Sequence, residues 1–292
     1  MYIQGGKFIM KKLALLLAAL GVVSAAAYAA PELTVTNFGQ SIETENVSNK
    51  TYDIDDIWLW NTVGLKYDDW SYTLTAGKHW SANYDHDKEI KSTNHRLQFD
   101  VSRKINDNLT LKGRYRGQNN FDRFQVGYDF NYGMLWSAGD FWYQFNDTTN
   151  DNLEAEWFPI GLKYGAFKVG YFVNYSKTLG DTSLDGVKED YIEHQIRAYA
   201  PLYNGERLSL STEARITISA DESYEKPYEH REYDDFGRNR LYLKANYAVS
   251  ENLNVFGTVG YEMRDWRLED GKDDDHTEKY YSNVVVGYNY KF

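Results

Sequence analysis

His79 and Ser81 lie two residues apart in the segment KHWSAN, so both side chains fall on the same side of an extended strand. A histidine that takes the proton of a serine hydroxyl is the basis of nucleophilic catalysis, and a phospholipase would need this pair to face lipid. The pair shares its face with Thr73 and Thr75, which is the polar face of the segment. We therefore expect no phospholipase.

Carboxylates are concentrated in three polar segments, near residues 81–93, 220–237 and 266–277. The adjacent residues Asp234 and Asp235 resemble the acidic pairs of some proteases, but carboxylates are too common in these segments for one pair to be informative. Weak binding of divalent cations, a bias toward cationic solutes and simple solubility are all consistent with them. The sequence predicts no enzyme, and no site for a metal or another cofactor.

The elements that position these residues follow from a period of two in hydrophobicity, which continues through most of the chain after residue 30. No window has a sustained helical period of 3.6 residues, so the predicted class is all-β. In the segment 158–164, the alternation places Phe158 on the same face as Ile160, Leu162 and Tyr164. The clearest apolar faces lie in 57–67, 97–101, 124–130, 158–164, 167–175, 208–218, 241–247, 255–261 and 284–292.

Connections between the predicted strands alternate in length. Short turns are expected at 68–69, 106–108, 133, 165, 204–205 and 251–252, and longer polar connections near 43–52, 81–93, 117–120, 146–152, 177–189, 220–237 and 266–277. Six short and seven longer connections join fourteen strands. The sequence thus predicts a closed antiparallel transmembrane barrel with short periplasmic turns and long extracellular loops.

Lipid is the expected partner of the apolar face. Aromatic residues make up 16% of the chain although the mean hydropathy is only −0.66, and the chain ends in Tyr288, Tyr290 and Phe292 on alternate positions. A closed barrel pairs its whole backbone and turns alternate side chains to lipid, which explains both numbers. A soluble sandwich would not account for this ending. The net charge of −11 argues against a nucleic-acid partner.

The N-terminal residues predict export. Lys11 and Lys12 precede an apolar run at 13–23, and Ala27-Tyr28-Ala29 has the form of a signal-peptidase site. We expect a signal peptide at 1–29 that starts at Met10, and a single barrel domain at 30–292. The absence of cysteine excludes disulfides as the source of stability.

Charged residues interleave with the apolar ones and are expected to line a pore. They either create a transverse field that orients water and solutes, or brace the barrel by ion pairs. By strand parity the pore-lining set is Arg96, Asp100, Lys112, Arg114, Arg116, Arg123, Asp129, Lys168, Glu193, Arg197, Glu213, Arg215, Arg240, Lys244, Glu262 and Arg264.

Two segments resemble known families. Tyr288, Tyr290 and Phe292 are similar to the C-terminal signature that the outer-membrane assembly machinery reads. The segment HQIRAYAPLYNGERLSL at 194–210, followed by a long acidic loop and the stretch at 235–262, resembles the outer-membrane porin G family. The resemblance implies a monomeric fourteen-stranded pore in the outer membrane, surrounded by lipid and lipopolysaccharide, with a mobile loop between strands 11 and 12.

That resemblance also implies a pH gate in this loop. His230 and His276 are candidates, while Asp235 or a neighbour occupies the position of the family's strand-12 histidine. The function expected from all these features is passive diffusion of small hydrophilic solutes, including sugars and oligosaccharides. The alternatives are a channel selective for acidic oligosaccharides, based on Lys112, Arg114 and Arg116 with Trp58, Trp60 and Trp142, and a non-conducting adhesin or structural barrel.

Overall fold

The computed structural model describes residues 32–46, 54–83, 89–180, 188–224, 230–233, 237–264, 267–268 and 279–292. Within this part of the chain, no helix is long and apolar enough to cross a membrane. The strands are β1 (Thr34–Asn46), β2 (Asp56–Tyr67), β3 (Trp70–Asn83), β4 (Glu89–Lys104), β5 (Leu109–Gln118), β6 (Phe121–Tyr132), β7 (Leu135–Asn146), β8 (Asp151–Tyr164), β9 (Phe167–Leu179), β10 (Lys188–Asn204), β11 (Leu208–Tyr224), β12 (His230–Tyr233), β13 (Arg238–Ala248), β14 (Leu253–Arg264), β15 (Arg267–Leu268) and β16 (Lys279–Lys291).

Fourteen of these strands form a closed antiparallel barrel, which confirms the predicted class and strand number. Neighbours in sequence pair from β1 to β11, then β11 pairs with β13, β13 with β14, and β14 with β16. The barrel closes where β1 pairs with β16, from Asn37 opposite Lys291 to Asn46 opposite Ser282. Closure leaves the barrel without an edge strand.

The two remaining strands are short and were not predicted. β12 continues the sheet beside β11, with Ala220 opposite Tyr233, and β15 pairs with β12 in turn. Their backbone extends the sheet beyond the end of β13. The acidic segment near 220–237, which the sequence identifies only as a loop, therefore contains ordered strand pairing.

Tight turns lie at one end of the barrel, and β1 begins and β16 ends at the same end. Gly133 and Gly165 each have a φ of +58°, the left-handed conformation that two-residue hairpin turns need. At the turn between β4 and β5, the Asn106 Oδ1 accepts hydrogen bonds from the backbone of Asn108 and Leu109. All six short turns are found where the sequence predicts them.

At the opposite end, two connections expected to be longer are tight. Only Asn119 and Asn120 join β5 to β6, and residues 147–150 join β7 to β8. Asn119 bonds back to β4, because its backbone N–H donates to Asn94 Oδ1 and its side chain donates to the Thr93 carbonyl. These asparagine contacts stabilise a tight turn in which a longer loop was expected.

The barrel has an apolar outer face and a polar inner face. Exposed apolar residues recur at alternate positions, for example Leu241 and Leu243 on β13 and Val284 and Val286 on β16. The prediction for Phe158 is wrong. A bulge between Trp157 and Ile160 breaks the alternation at Pro159, which cannot donate to the ladder, and Phe158 turns inward.

Candidate functional site: the charged inner face

The inner face carries two distinct groups of charged side chains. On β10 to β14, three buried glutamates are surrounded by cationic side chains, and we call this group the carboxylate network: Glu193, Glu213, Glu262, Arg215, Arg238, Arg240, Lys244 and Arg264. On β4 to β6, three arginines are held by neutral amides, and we call this group the arginine wall: Arg96, Arg116 and Arg123.

Glu262 is the centre of the carboxylate network and is only 1% exposed. It accepts hydrogen bonds from Nε of Arg240 and Nε of Arg264, and its Oε2 lies 3.3 Å from Nε of Arg238. Strand alternation places Glu262 and Arg264 two residues apart on one face, and the β13–β14 register brings Arg240 directly opposite Glu262. Three guanidinium groups therefore neutralise one carboxylate.

Arg238 connects strands that are not neighbours. Its Nη1 donates to Glu193 Oε2 at 2.9 Å across β11, while its Nε faces Glu262 on β14. Glu193, also 1% exposed, accepts further bonds from Gln195 at 2.7 Å and Thr217 at 2.6 Å. Arg238 is not among the site residues predicted from the sequence, although its parity with Arg240 on β13 could have identified it.

Glu213 completes the network on β11. Its two oxygens accept hydrogen bonds from Arg215 Nε at 2.6 Å and Lys244 Nζ at 2.5 Å. A buried carboxylate is stable only when it is paired and hydrogen-bonded, and each glutamate of the network meets this requirement.

The arginine wall makes a different set of contacts. Arg96 Nε donates to Gln118 Oε1, Arg116 Nε to Gln98 Oε1, and Arg123 Nε to Gln144 Oε1, each at 2.9 Å. Arg116 lies directly opposite Arg123 in the β5–β6 register. The three glutamine partners were not predicted as site residues.

Tryptophan rings support the arginine wall from behind. The Arg96 guanidinium lies 4.6 Å from the ring centre of Trp58 and 4.9 Å from that of Trp60, and the two indoles stack at 4.5 Å. Trp60 reaches β4 because Gly77, its partner on β3, has no side chain in the way. The Arg123 guanidinium likewise lies 4.8 Å from the ring centre of Trp142.

This packing buries two of the three tryptophans. Trp58, Trp60 and Trp142 do face inward, but Trp58 is only 8% exposed and Trp142 only 7% exposed. The guanidinium groups of Arg96 and Arg123 therefore lie over the indole rings.

The remaining basic residues of the predicted set are paired or stacked. Lys112 Nζ lies 3.1 Å from Asp129 and 3.3 Å from Asp140, and Arg114 pairs with Asp100. Two others lie over rings: Lys168 is 4.9 Å from the centre of Trp136, and Arg197 is 3.2 Å from the centre of Phe172.

His79 does not pair with Ser81 but with residues on the flanking strands. Its Nε2 lies 2.7 Å from Asp56 Oδ1, its Nδ1 lies 2.6 Å from Thr93 Oγ1, and its ring stacks on Trp58 at 4.4 Å. These contacts hold the imidazole ring against the Trp58 ring, at an angle of 29° between the two ring planes. Within the described ranges, no group of three or more His, Asp or Glu side chains could hold a metal ion.

The two remaining sets of predicted residues lie elsewhere. Tyr290 and Phe292 are exposed on the outer face, and their ring centres are 5.3 Å apart. The ring centres of Tyr288 and Phe38 are 6.3 Å apart. For the predicted pH gate, His276 and Asp235 lie outside the described residues. His230 begins β12, and its side chain also lies outside the described part.

Comparison with known proteins supports the fold and goes no further. No protein-family model matches the chain, and no curated protein sequence matches it. A bacterial polysaccharide outer membrane secretin aligns over 88% of this chain and 98% of its own, at 10% identity and a TM-score of 0.56. An anion-selective porin from Comamonas acidovorans aligns over 89% of this chain and 100% of its own, at 9% identity and a TM-score of 0.47. Fold and inner face together define a closed β-barrel of the outer-membrane type.

Proposed function

We propose that the protein is an outer-membrane pore for passive diffusion of small hydrophilic solutes, including sugars and oligosaccharides. The observation that carries the proposal is a closed fourteen-stranded barrel with exposed apolar residues outside and charged residues inside. Barrels of about eight strands are filled by side chains and those of 16 to 18 leave an aqueous channel, so fourteen strands favour a water-filled interior. All the described strands belong to one sheet.

Contacts on the inner face support a pore-lining role for the predicted charged residues. The carboxylate network braces β10 to β14, and the arginine wall leaves positive charge beside the enclosed space. We propose that the brace and the transverse field, which the sequence leaves as alternatives, are the roles of two regions of one barrel. We infer a conducting protein without enzymatic activity.

We further propose export by a signal peptide at 1–29 and insertion by the outer-membrane assembly machinery, with lipid and lipopolysaccharide around a monomeric barrel. The exposure of Tyr290 and Phe292 at the end of β16 supports recognition of the final strand. Membership of the porin G family belongs to this proposal as well, and residues 194–210 form the hairpin of β10 and β11 on which the resemblance is based.

Conductance tests the proposal directly. Purified mature protein, shown to be folded by heat-modifiable migration, is added to a planar bilayer between symmetric potassium chloride solutions. We expect steady single-channel steps, and swelling of proteoliposomes in mono- and disaccharide solutions. A folded barrel that inserts but carries no current would contradict the pore and favour an adhesin or structural barrel.

A further inference from the structure

The arginines of the wall lack the close ion pairs that Lys112, Arg114 and the cations of the carboxylate network make. Arg96 and Arg116 have no carboxylate within 4.0 Å among the described residues, and Arg123 has only Glu154, at 3.8 Å. Their close partners are the uncharged amides of Gln118, Gln98 and Gln144. These hydrogen bonds orient the guanidinium groups and leave their charge in place.

The guanidinium groups are also held in fixed planes. Stacking on indole fixes Arg96 and Arg123. The amide bonds use Nε of both arginines, and Nη2 of Arg123 also donates to Gln144 Oε1. The planar fork of an arginine matches the two oxygens of a carboxylate, and a group already held in place loses little entropy on binding.

Like charges face each other across the wall. Arg116 and Arg123 are directly opposite in the β5–β6 register, and Arg96 lies opposite Gln118, two residues from Arg116 on β5. Directly opposed like charges destabilise a sheet. A bound anion would supply negative charge in addition to that of Glu154, which lies 3.8 Å from Arg123.

We propose that the arginine wall is a binding subsite for the carboxylate of an acidic oligosaccharide passing through the barrel. This inference rests on the proposed pore, and it assigns a solute class to one region of it. Of the stripe Lys112, Arg114 and Arg116, only Arg116 belongs to the subsite, because Lys112 and Arg114 are neutralised by aspartates. The other two arginines of the subsite are Arg96 and Arg123. The subsite lies near the Asn119–Asn120 turn, at the end of the barrel opposite the short turns.

Single-channel block by two trisaccharides tests the subsite, with trigalacturonate as the acidic probe and maltotriose as the neutral one. In the full mature protein, trigalacturonate should block the current at a concentration at least about tenfold below that of maltotriose. Arg116→Gln and Arg123→Gln should each weaken the trigalacturonate block by about tenfold and leave the maltotriose block unchanged. Heat-modifiable migration verifies that each variant is folded.

Lys168→Gln is the matched control, because it removes one inward positive charge near the short-turn end of the barrel. We expect it to change the concentration of trigalacturonate that blocks the channel by less than about twofold. Equal block by the two trisaccharides in a conducting wild-type channel would overturn the subsite and leave the pore intact. An equal loss of block in Lys168→Gln and Arg116→Gln would replace the subsite by a general positive potential. A folded barrel without current would overturn the pore itself.

Discussion

Charged side chains have different kinds of partner in two regions of the inner face. On β10 to β14, every glutamate of the carboxylate network lies within hydrogen-bond distance of basic side chains, with three around Glu262 alone. On β4 to β6, the arginines of the wall bond to glutamines and stack on tryptophans. The number of inward charges therefore does not predict their role, because the role depends on what each charged side chain contacts.

The energetic consequences differ as well. A buried ion pair gains little over an apolar pair of the same shape, but removing one partner leaves an uncompensated charge, which costs several kcal/mol. The carboxylate network is therefore sensitive to single substitutions. The arginine wall already contains unneutralised charge, so the loss of one arginine should cost little stability and should change what the inner face attracts.

The largest expected effect is on the carboxylate network. Glu262→Gln keeps the shape of the side chain but leaves Arg238, Arg240 and Arg264 without their common counter-charge, and we expect a loss of about 3–5 kcal/mol in the free energy of unfolding. Urea unfolding in phospholipid vesicles, followed by tryptophan fluorescence, measures it. The same change at Glu154, which lies 3.8 Å from Arg123 and is 22% exposed, should cost less than about 1 kcal/mol. Similar losses at both sites would remove the distinction between the two regions.

An intermediate effect is expected where the arginine wall is packed. A methyl group at Gly77 would overlap the Trp60 ring and displace it from Arg96, so Gly77→Ala should cost about 1–3 kcal/mol. Gly257→Ala is the control, because a methyl group there meets only the Val285 carbonyl oxygen at 3.8 Å. The same vesicle unfolding assay compares the two variants. If Gly77→Ala is as stable as Gly257→Ala, the tryptophan packing behind Arg96 is not a constraint.

The smallest effect should come from an ion pair outside both regions, in the turn between β4 and β5. Lys104 Nζ lies 2.7 Å from Asp107 Oδ1, and this hydrogen bond, together with the lysine charge, lowers the pKa of Asp107. A lowered folded-state pKa contributes stability above the unfolded value of about 3.9, which is lost as the pH falls through the folded-state pKa.

Asp107→Asn should therefore lower the unfolding midpoint slightly at pH 7, and the difference from wild type should disappear as the pH falls through the lowered folded-state pKa of Asp107. Between about pH 5 and pH 8 the difference should be constant, because both states of the wild type are ionised there. Urea midpoints measured from about pH 8 down to below the unfolded pKa of about 3.9 provide the test. A difference that grows on acidification would have the wrong sign.

Some features of the barrel could be predicted from the sequence and others could not. The alternation that ends in Tyr288, Tyr290 and Phe292 and the turns at Gly133 and Gly165 depend on local geometry, and the barrel and its strand number followed from them. The length of the Asn119–Asn120 turn was missed, because its asparagine contacts come from β4. The inward rotation of Phe158 was missed because a bulge separates it from the alternation of Ile160 and Leu162, which face outward as predicted.

The sequence by itself determined that alternate side chains face opposite sides of a closed fourteen-stranded sheet, because strand period and turn chemistry are local properties of the chain. Only the tertiary structure decided which inward charges are neutralised. Glu193 and Arg238 are 45 residues apart and meet across β11, while Arg116 and Arg123 face each other over a tight turn. Such contacts depend on the register between strands, which fixes the distance between side chains that are far apart in the sequence.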